Sequence, residues 1–360
     1  AQADVYLRSD IQRCRETAQL LIYQAELNGN PLHRALGLLA EANARSIGLG
    51  EYERAIELYD EAAHLYEAQG CLVEQARSQI GKIGSLGHLG RYQEALDTGA
   101  WASRILEEHG QWQVLAGLVI NMAIIHGRAG DDGLSLKMFD RAQELYAQMG
   151  LEGDPTWLWV QANRGIALRN LGRFEESLQA SRTAWEGQNR LGQSMAAARG
   201  QQSMALTYFV LGRYNEALAH LNEARDAFLT DGRQRDAMLV ELFTSDCLLQ
   251  LRRFGDVLDK CRRVRDLFAR LGTDQVVAQA IVNEAVAYAQ LDRFPEALAS
   301  LAEARHIFEA GGNRVWIAAT DLEKAVILLR QGHGHESLVL ARECATLFQD
   351  CELPVEAAQA

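Results

Sequence analysis

The side chains that most suggest catalysis are two histidines near the end of the sequence. His333 and His335 flank Gly334, and histidine is the commonest general acid or base in enzymes. They stand, however, where comparable segments of the chain carry a Leu-Gly turn, so a polar surface turn is the favoured interpretation. The sequence contains no HExxH or GxSxG motif, the patterns of zinc proteases and serine hydrolases. We therefore expect a protein that is not an enzyme.

One glycine–lysine step resembles the end of a phosphate-binding loop. Gly81 and Lys82 are followed by Ile83, whereas such a loop needs Ser or Thr at that position. Ala76 stands in place of the first glycine of the motif, and the segment lies inside a predicted helix. The sequence therefore does not predict a nucleotide site.

Composition argues against several further classes. The 360 residues include 36 basic and 48 acidic side chains, a formal net charge of -12, which disfavours direct nucleic-acid binding. Without a signal peptide or a long apolar run, we expect no membrane span and a cytoplasmic protein. The cysteines form no CxxC pair and suit a reducing interior, so we expect no metal site, no disulfide framework and no cofactor. They are Cys14, Cys71, Cys247, Cys261, Cys344 and Cys351.

One eight-residue block recurs along the whole chain. Its clearest copy, LGRYNEAL, runs from Leu211 to Leu218. The turn position of this block falls at 50, 90, 130, 172, 212, 252, 292 and 332, so successive steps are 40 residues except for one of 42. A second series of glycines, from Gly70 to Gly312, lies about midway between these turns. Alternating turns at a fixed period of this size predict stacked helix–turn–helix units.

The predicted organisation is a leading helix, eight helix pairs and a tail. Residues 1–30 hold one helix of a preceding or partial repeat, and the missing initial Met suggests a segment of a longer protein. Residues 31–349 are predicted to form eight helical hairpins in one continuous array, and residues 350–360 a fraying C-terminal tail. The first helices of the pairs are predicted over 31–48, 73–88, 112–128, 155–170, 194–210, 234–250, 274–290 and 314–330.

These repeats resemble tetratricopeptide repeats, in which a Leu-Gly-x-x-Tyr block spans the turn and small residues stand at the helix crossings. The resemblance implies an all-α fold, a right-handed α-solenoid superhelix of about eight repeats. It also makes Cys261 and Cys344 buried small hydrophobes. The small positions early in the second helices are Ala55, Ala95, Ser135, Ser177, Ala217, Val257, Ala297 and Ser337, and those seven residues later are Ala62, Ala102, Ala142, Ala184, Ala224, Val264, Ala304 and Cys344.

The repeat is longer than the usual one of about 34 residues, and its closing proline is mostly absent. The extra residues would lengthen the second helix by about one and a half turns. This long form is similar to arrays in bacterial STAND-type regulators such as the maltose activator. It is also similar to arrays linked to CHAT-type proteases and in peptide-sensing Rap-type regulators.

The resemblance implies a binding face on the first helices. In the family these helices line the concave side, and a polar residue near the helix middle often contacts an extended peptide backbone, for which Asn can both donate and accept. We therefore predict partner contacts by Asn121, Asn163, Ser203 and Asn283. Helix capping or solvation of these side chains is an alternative that the sequence leaves open. The matching positions are Glu41, Gly81, Asn121, Asn163, Ser203, Phe243, Asn283 and Glu323.

Arg128, Arg169 and Asn170, further along the same helices, complete the predicted binding set. If they point inward, the two arginines would make a basic spot that pairs with a peptide C-terminus or an acidic side chain. Pairing of each arginine with a neighbouring repeat is the alternative.

The resemblance implies a general class of function. We expect a non-catalytic scaffold or sensor array that captures a protein or peptide segment in the concave groove. It would be the regulatory segment of a larger signalling protein, a CHAT-type protease or a STAND-type regulator, and would also contact the attached effector domain. The alternative is a small-molecule-sensing array of a transcriptional regulator, with Trp159, Phe209 and Phe243 as stacking candidates.

Overall fold

The computed structural model describes residues 10–272 and 274–350, which form seventeen α-helices and no β-strand. The helices are α1 (Ile11–Leu27), α2 (Pro31–Asn43), α3 (Tyr52–Ala68), α4 (Leu72–His88), α5 (Tyr92–Glu108), α6 (Trp112–Arg128), α7 (Asp132–Gln148), α8 (Pro155–Asn170), α9 (Phe174–Arg190), α10 (Ser194–Val210), α11 (Tyr214–Thr230), α12 (Gln234–Gln250), α13 (Phe254–Leu271), α14 (Asp274–Gln290), α15 (Phe294–Ala310), α16 (Arg314–Arg330) and α17 (Gly334–Asp350).

The eight predicted helix pairs are confirmed. The even-numbered helices from α2 to α16 are the first helices of the pairs, and the odd-numbered helices from α3 to α17 are the second helices. A helix spans Ile11–Leu27, within the segment predicted to hold the leading helix. Its predicted first residues, and the predicted tail after Asp350, lie outside the described residues.

The chain divides into two compact units, with the boundary between Gly187 and Gln188 inside α9. Unit 1 contains α1 to α8 and most of α9, and unit 2 contains α10 to α17. Within each unit, helices pack on their neighbours and next neighbours in sequence, as expected for stacked repeats. The continuous array predicted over residues 31–349 stays a prediction.

The helices end where the two glycine series predict. Gly90, Gly172 and Gly212 have φ of 73°, 74° and 71°, a left-handed conformation that glycine adopts without a steric cost. The next residue then bonds back to the helix, as when the Arg173 N–H donates to the Leu168 carbonyl at 2.8 Å. In two repeats the position is not glycine, and Arg252 and Asp292 take φ of 57° and 58°.

Most second helices begin with a local ion pair between the residue before the helix and an acid three positions on. The Arg173 guanidinium, for example, contacts Glu176 through two nitrogens at 2.7 Å each. The pair places an acid in the first turn, where the helix dipole favours negative charge. Equivalent pairs are Arg91–Glu94, Arg213–Glu216, Arg253–Asp256 and Arg293–Glu296.

Small residues form the helix crossings, as the repeat pattern predicts. Ala55, Ala95 and Ala217 are fully buried, and at the equivalent position Ser177 donates its hydroxyl to the Gly165 carbonyl at 2.7 Å. Cys261 is also fully buried, and Cys344 is 3% exposed. Their predicted role as small core residues is therefore confirmed.

The end of α2 departs from the predicted helix. The sequence predicts a regular helix over 31–48, but residues Ala44–Leu49 form a π-helical turn. Such turns widen the helix locally and often lie at functional sites. This turn forms part of the cavity described below.

None of the helices among the described residues is sufficiently long and apolar to cross a lipid bilayer.

Candidate functional site

The first helices of unit 1 carry a cavity of about 640 Å³, which we name the Asn121 cavity. It lies on α2, α4 and α6, and α3 supplies one wall. Its volume is within the range of small-molecule and cofactor sites. Its lining among the described residues includes no carboxylate and consists of Leu39, Asn43, Ser46, Ile47, Tyr52, Tyr59, Arg77, Ser78, Ile80, Gly81, Gly84, His88 and Asn121.

Two glycines of α4 line this cavity and have different surroundings. A β-carbon on Gly81 would lie 2.3 Å from the Tyr59 hydroxyl oxygen, so glycine lets the tyrosine ring pack directly on α4. A β-carbon on Gly84 would meet nothing within 4 Å. The side chain missing at Gly84 therefore leaves open space, and a ligand could approach the helix backbone closely there.

A buried tyrosine orients one of the two asparagines in the lining. Tyr59 is 2% exposed, and its hydroxyl donates to Asn43 Oδ1 at 2.6 Å. Burial raises the pKa of Tyr59 well above its usual value, so the hydroxyl stays a donor. Within the described part of the chain, the Asn43 Nδ2 group has no partner and is available to a carbonyl oxygen.

The π-helical turn contributes Ser46 and Ile47 to the lining. The Ser46 hydroxyl lies 2.9 Å from the Ser85 hydroxyl on α4, which ties the turn to the next hairpin. Ile47 is 70% exposed, an unusual exposure for a branched apolar side chain. The turn therefore presents an apolar group at the cavity.

An aromatic pair lies at the C-terminal end of α4. The rings of Tyr52 and His88 stack with centroids 4.6 Å apart. Burial and the nearby Arg128 guanidinium lower the pKa of His88, so the imidazole is neutral at pH 7. Arg128 is exposed and makes no ion pair with any described residue, which leaves it available to an anionic group.

The predicted residues on α8 have different surroundings. Asn163 Nδ2 donates to the Trp159 carbonyl one turn earlier in the same helix, at 2.8 Å. Asn170 Nδ2 donates to Asp132 Oδ1 at 3.1 Å. Burial lowers the pKa of Arg169, and the nearby Asp132 carboxylate partly opposes this shift. The Nη1 atom of Arg169 is buried without a hydrogen-bond partner. Asn163, Arg169 and Asn170, which were predicted to contact a partner, therefore already interact with other groups of unit 1.

The two predicted residues of unit 2 also differ from each other. Ser203 is 9% exposed and lies in the packed part of α10. Asn283 on α14 donates from Nδ2 to Ser245 Oγ at 2.8 Å and to Asp246 Oδ1 at 2.6 Å. Asn283 also lines a cavity of about 430 Å³ together with Glu323, the residue at the same repeat position one hairpin later.

A smaller, mainly apolar pocket of about 110 Å³ lies between α10, α11 and α12, and we name it the Asp246 pocket. It brings together Phe209 and Phe243, two of the three predicted stacking residues, whereas Trp159 lies in unit 1. Asp246 is the one charged residue among the described residues that line it. The lining consists of Ala205, Leu206, Phe209, Leu221, Phe243, Asp246 and Cys247.

Two buried acids of unit 2, Asp246 and Glu323, lack a basic partner among the described residues, and burial raises the pKa of both. Glu241 contacts Arg225 and Lys260, whereas Asp246 has no arginine or lysine partner among the described residues. Its one hydrogen-bond donor there is Asn283. Burial raises the pKa of Asp246 to about 6, and the bond from Asn283 partly opposes this rise.

Some site residues were not predicted from the sequence. The turn containing Ser46 and Ile47 includes Gly48, but the repeat pattern placed that glycine in a regular helix over 31–48. Asp246 stands three residues beyond the register position occupied by Phe243. The sequence did contain one signal for the cavity. Gly81 and Gly84 lie inside the helical pattern, and a glycine there indicates either close packing of another group on the helix or open space beside it. His333 and His335 are both exposed, His333 directly before α17 and His335 in its first turn.

Comparison with known proteins identifies the fold of this chain. No family model and no curated protein matches the chain. Among solved structures, a Rap protein complexed with competence and sporulation factor aligns with a TM-score of 0.62 and 15% identity, covering 99% of this chain and 97% of that one. Aspartyl phosphate phosphatase F from Bacillus subtilis gives 0.65 and 12%, covering 97% and 92%. A STAND protein with a tetratricopeptide repeat sensor from Pyrococcus horikoshii gives 0.63 and 16%, covering 89% and 50%.

The chain has a tetratricopeptide repeat fold. The expected resemblance and the all-α repeat architecture are therefore confirmed. Because the tetratricopeptide repeat fold serves many roles, the function must be argued from the Asn121 cavity and the Asp246 pocket.

Proposed function

We propose that the chain is a non-catalytic sensor array that captures a peptide or protein segment on the first helices of unit 1. The observation that carries the proposal is the Asn121 cavity. Its volume of about 640 Å³ is ample for several residues of an extended chain. Its lining supplies amide groups for the peptide backbone and aromatic and aliphatic side chains for the peptide side chains.

Two structural neighbours support this proposal, because one is bound to a factor and the other is a quorum sensor. One is a Rap protein complexed with competence and sporulation factor, and another is the apo form of the quorum sensor NprR from B. thuringiensis, with a TM-score of 0.59 and 14% identity. Each has this fold and a sensing or factor-binding role.

The STAND protein is matched over 50% of its length by 89% of this chain. We infer that the array is the regulatory segment of a larger signalling protein of the STAND type. Binding would act on an attached domain if the two conformations of the array differ in affinity for the peptide. Attachment to a CHAT-type protease, and a cytoplasmic location, stay sequence-based predictions.

The test uses a phage-displayed library of random heptapeptides selected on the whole chain. The enriched peptides are then measured against Asn121→Ala, which removes an amide, and Gly84→Leu, which fills the open floor of the cavity. We expect Asn121→Ala to weaken binding by roughly fivefold, because a lost hydrogen bond costs about 1 kcal/mol. Gly84→Leu should weaken binding further, because the Leu side chain blocks close approach to the helix backbone.

Asn215→Ala is the matched control, since Asn215 is exposed on the second helix α11. It should bind the peptides as the unmodified chain does. Enriched peptides that bind both cavity variants at full strength would place peptide capture elsewhere and refute the assignment.

A second candidate function is small-molecule sensing. It is favoured by one observation, that Phe209 and Phe243 line the same pocket.

A further inference from the structure

Unit 2 has a cavity of its own on its first helices, the one of about 430 Å³ that Asn283 and Glu323 line, and we name it the Glu323 cavity. Residues of α12, α14 and α16 line it, together with Arg252 and Phe254 at the turn into α13. Its surface is mainly polar. It shares no lining residue with the Asn121 cavity or the Asp246 pocket, so a ligand here is independent of both candidate functions.

Glu323 presents a carboxylate to this cavity without a protein partner. Among the described residues it has no hydrogen bond and no ion pair, and neither of its oxygens is fully enclosed. The oxygens are therefore open to a ligand. Burial raises the pKa of Glu323, because desolvation without a nearby cation disfavours the carboxylate. A cationic group in the cavity would offset that desolvation.

Arg252 brings the opposite charge to the cavity in a strained backbone conformation. It has φ of 57° at the turn position where six of the eight repeats have glycine, and strain of this kind clusters at functional sites. Its guanidinium lies over the Phe254 ring, 5.8 Å from the centroid, and Phe254 also lines the cavity. Arg252 makes no ion pair with any described residue, so the guanidinium is available to an anionic group.

Three amide side chains lie between these charges in the lining: Gln250, Asn283 and Gln290. The Nδ2 group of Asn283 is already bonded to other side chains, whereas its Oδ1 atom accepts no hydrogen bond from the described residues. Gln250 and Gln290 are exposed. The amides can therefore accept from an ammonium group or bond to polar groups of a ligand.

We propose that the Glu323 cavity binds a small zwitterion, a molecule with one ammonium group and one carboxylate joined by a short spacer. Glu323 pairs with the ammonium group, and Arg252 pairs with the carboxylate. The volume of about 430 Å³ lies within the range of small-molecule sites and suits an amino acid or a very short peptide. A molecule with a single charge would use only one of the two charged side chains.

The experiment is a ligand-observed NMR titration of the whole chain at pH 8 with the ω-amino acids from 4-aminobutyrate to 8-aminooctanoate. Each is compared with the alkylamine and the alkanoate of the same chain length. We expect saturable binding with one best spacer length, at least roughly tenfold tighter than either single-charge analogue, because each analogue lacks one charge-assisted hydrogen bond. Equal binding of the analogues, or no binding of any ω-amino acid, would overturn the proposal.

Glu323→Gln keeps the shape of the side chain and removes its charge. It should lower the affinity for the best ω-amino acid to that for the matched alkanoate. Glu343→Gln, at an exposed position on α17, changes the net charge equally and should leave binding unchanged. Full affinity in Glu323→Gln would refute the assignment of the ammonium site.

Arg252→Gly should lower the affinity for the best ω-amino acid to that for the matched alkylamine. Because glycine also relieves the backbone strain, this variant should be more stable than the parent, and weaker binding cannot then be attributed to unfolding. Asp292→Gly is the matched control, since Asp292 has φ of 58° at the equivalent turn and does not line the cavity. It should bind as the parent does, whereas full affinity in Arg252→Gly would refute the carboxylate site.

Two further ligands distinguish two sources of the same chemistry. Glycylglycine and triglycine have the same number of chain atoms between their charges as 5-aminopentanoate and 8-aminooctanoate, respectively, but contain peptide bonds. Tighter binding of the peptides would identify a short peptide as the natural zwitterion, with its amides bonded to the glutamines. Tighter binding of the ω-amino acids would identify an amino acid with an alkyl spacer, and both results support the zwitterionic class.

Discussion

Two glycines three residues apart in α4 should respond to the same substitution with opposite signs. Gly84→Ala places a methyl group where no atom lies within 4 Å and removes the helix penalty of glycine, about 1 kcal/mol. Gly81→Ala gains the same helix propensity but places its β-carbon 2.3 Å from the Tyr59 hydroxyl oxygen and 2.4 Å from ring carbon Cζ.

The Tyr59 ring cannot move aside cheaply. It is 2% exposed, and its hydroxyl bonds to Asn43. Overpacking of a core costs about 1–3 kcal/mol, and a lost hydrogen bond costs about 1 kcal/mol more. After the gain in helix propensity, we expect Gly81→Ala to lower the free energy of unfolding of unit 1 by about 1–3 kcal/mol.

Thermal unfolding followed by circular dichroism measures both variants. Gly84→Ala should raise the melting temperature of unit 1 by about 2–4 °C, and Gly81→Ala should lower it by at least as much. Addition of Tyr59→Phe to Gly81→Ala should recover part of the loss, since it removes the clashing oxygen. If the two single variants shift the melting temperature in the same direction, our account of the cavity floor is wrong.

Two further predictions concern unit 2. Arg252→Gly should raise the free energy of unfolding of unit 2 by about 0.5–1 kcal/mol, because Arg252 has φ of 57° and a left-handed residue with a β-carbon costs about 1–2 kcal/mol. Urea titration measures the free energy of unfolding, and an unchanged or lower value would contradict the prediction. Asp246→Asn should stabilise unit 2 above pH 6 by at most about 3 kcal/mol, because the folded-state pKa is raised from 3.8 to about 6. The raised pKa makes the folded state bind the proton more tightly, so Asp246 favours folding below pH 3.8 and loses that contribution as pH rises through 6. The nearby Cys247 and Cys261 thiols, each with a pKa of about 12, stay neutral over this pH range. Urea titrations from pH 4 to pH 8 measure the effect, and a difference in the free energy of unfolding between variant and parent that stays constant over this range would refute the assignment.

The helix pairs could be predicted from the sequence because their turns are specified locally. A glycine such as Gly172 ends its helix through its own backbone conformation, and an alanine such as Ala217 marks a close crossing through its size alone. Neither requires knowledge of distant residues, so the period of the sequence is sufficient.

The binding residues were harder to predict because position on a helix face does not determine partners. Asn121, Asn163 and Asn283 occupy the same place in their repeats, yet Asn163 bonds to its own helix and Asn283 to the preceding hairpin. Their surroundings depend on side chains of neighbouring helices that vary from repeat to repeat. For the same reason the uncompensated burial of Asp246 could not be deduced from the register.

The ion pairs at the start of the second helices have a consequence for the order of folding. Arg213 and Glu216 are three residues apart and touch without help from any other hairpin, and the main contacts of each helix are with its sequence neighbours. Chains with such short contact distances along the sequence fold quickly, and folding can nucleate in any repeat. Synthesis on the ribosome delivers about 5–20 residues each second, so a hairpin can form before the following one is complete. Unit 1 can therefore present the Asn121 cavity while the residues of unit 2 are still being translated.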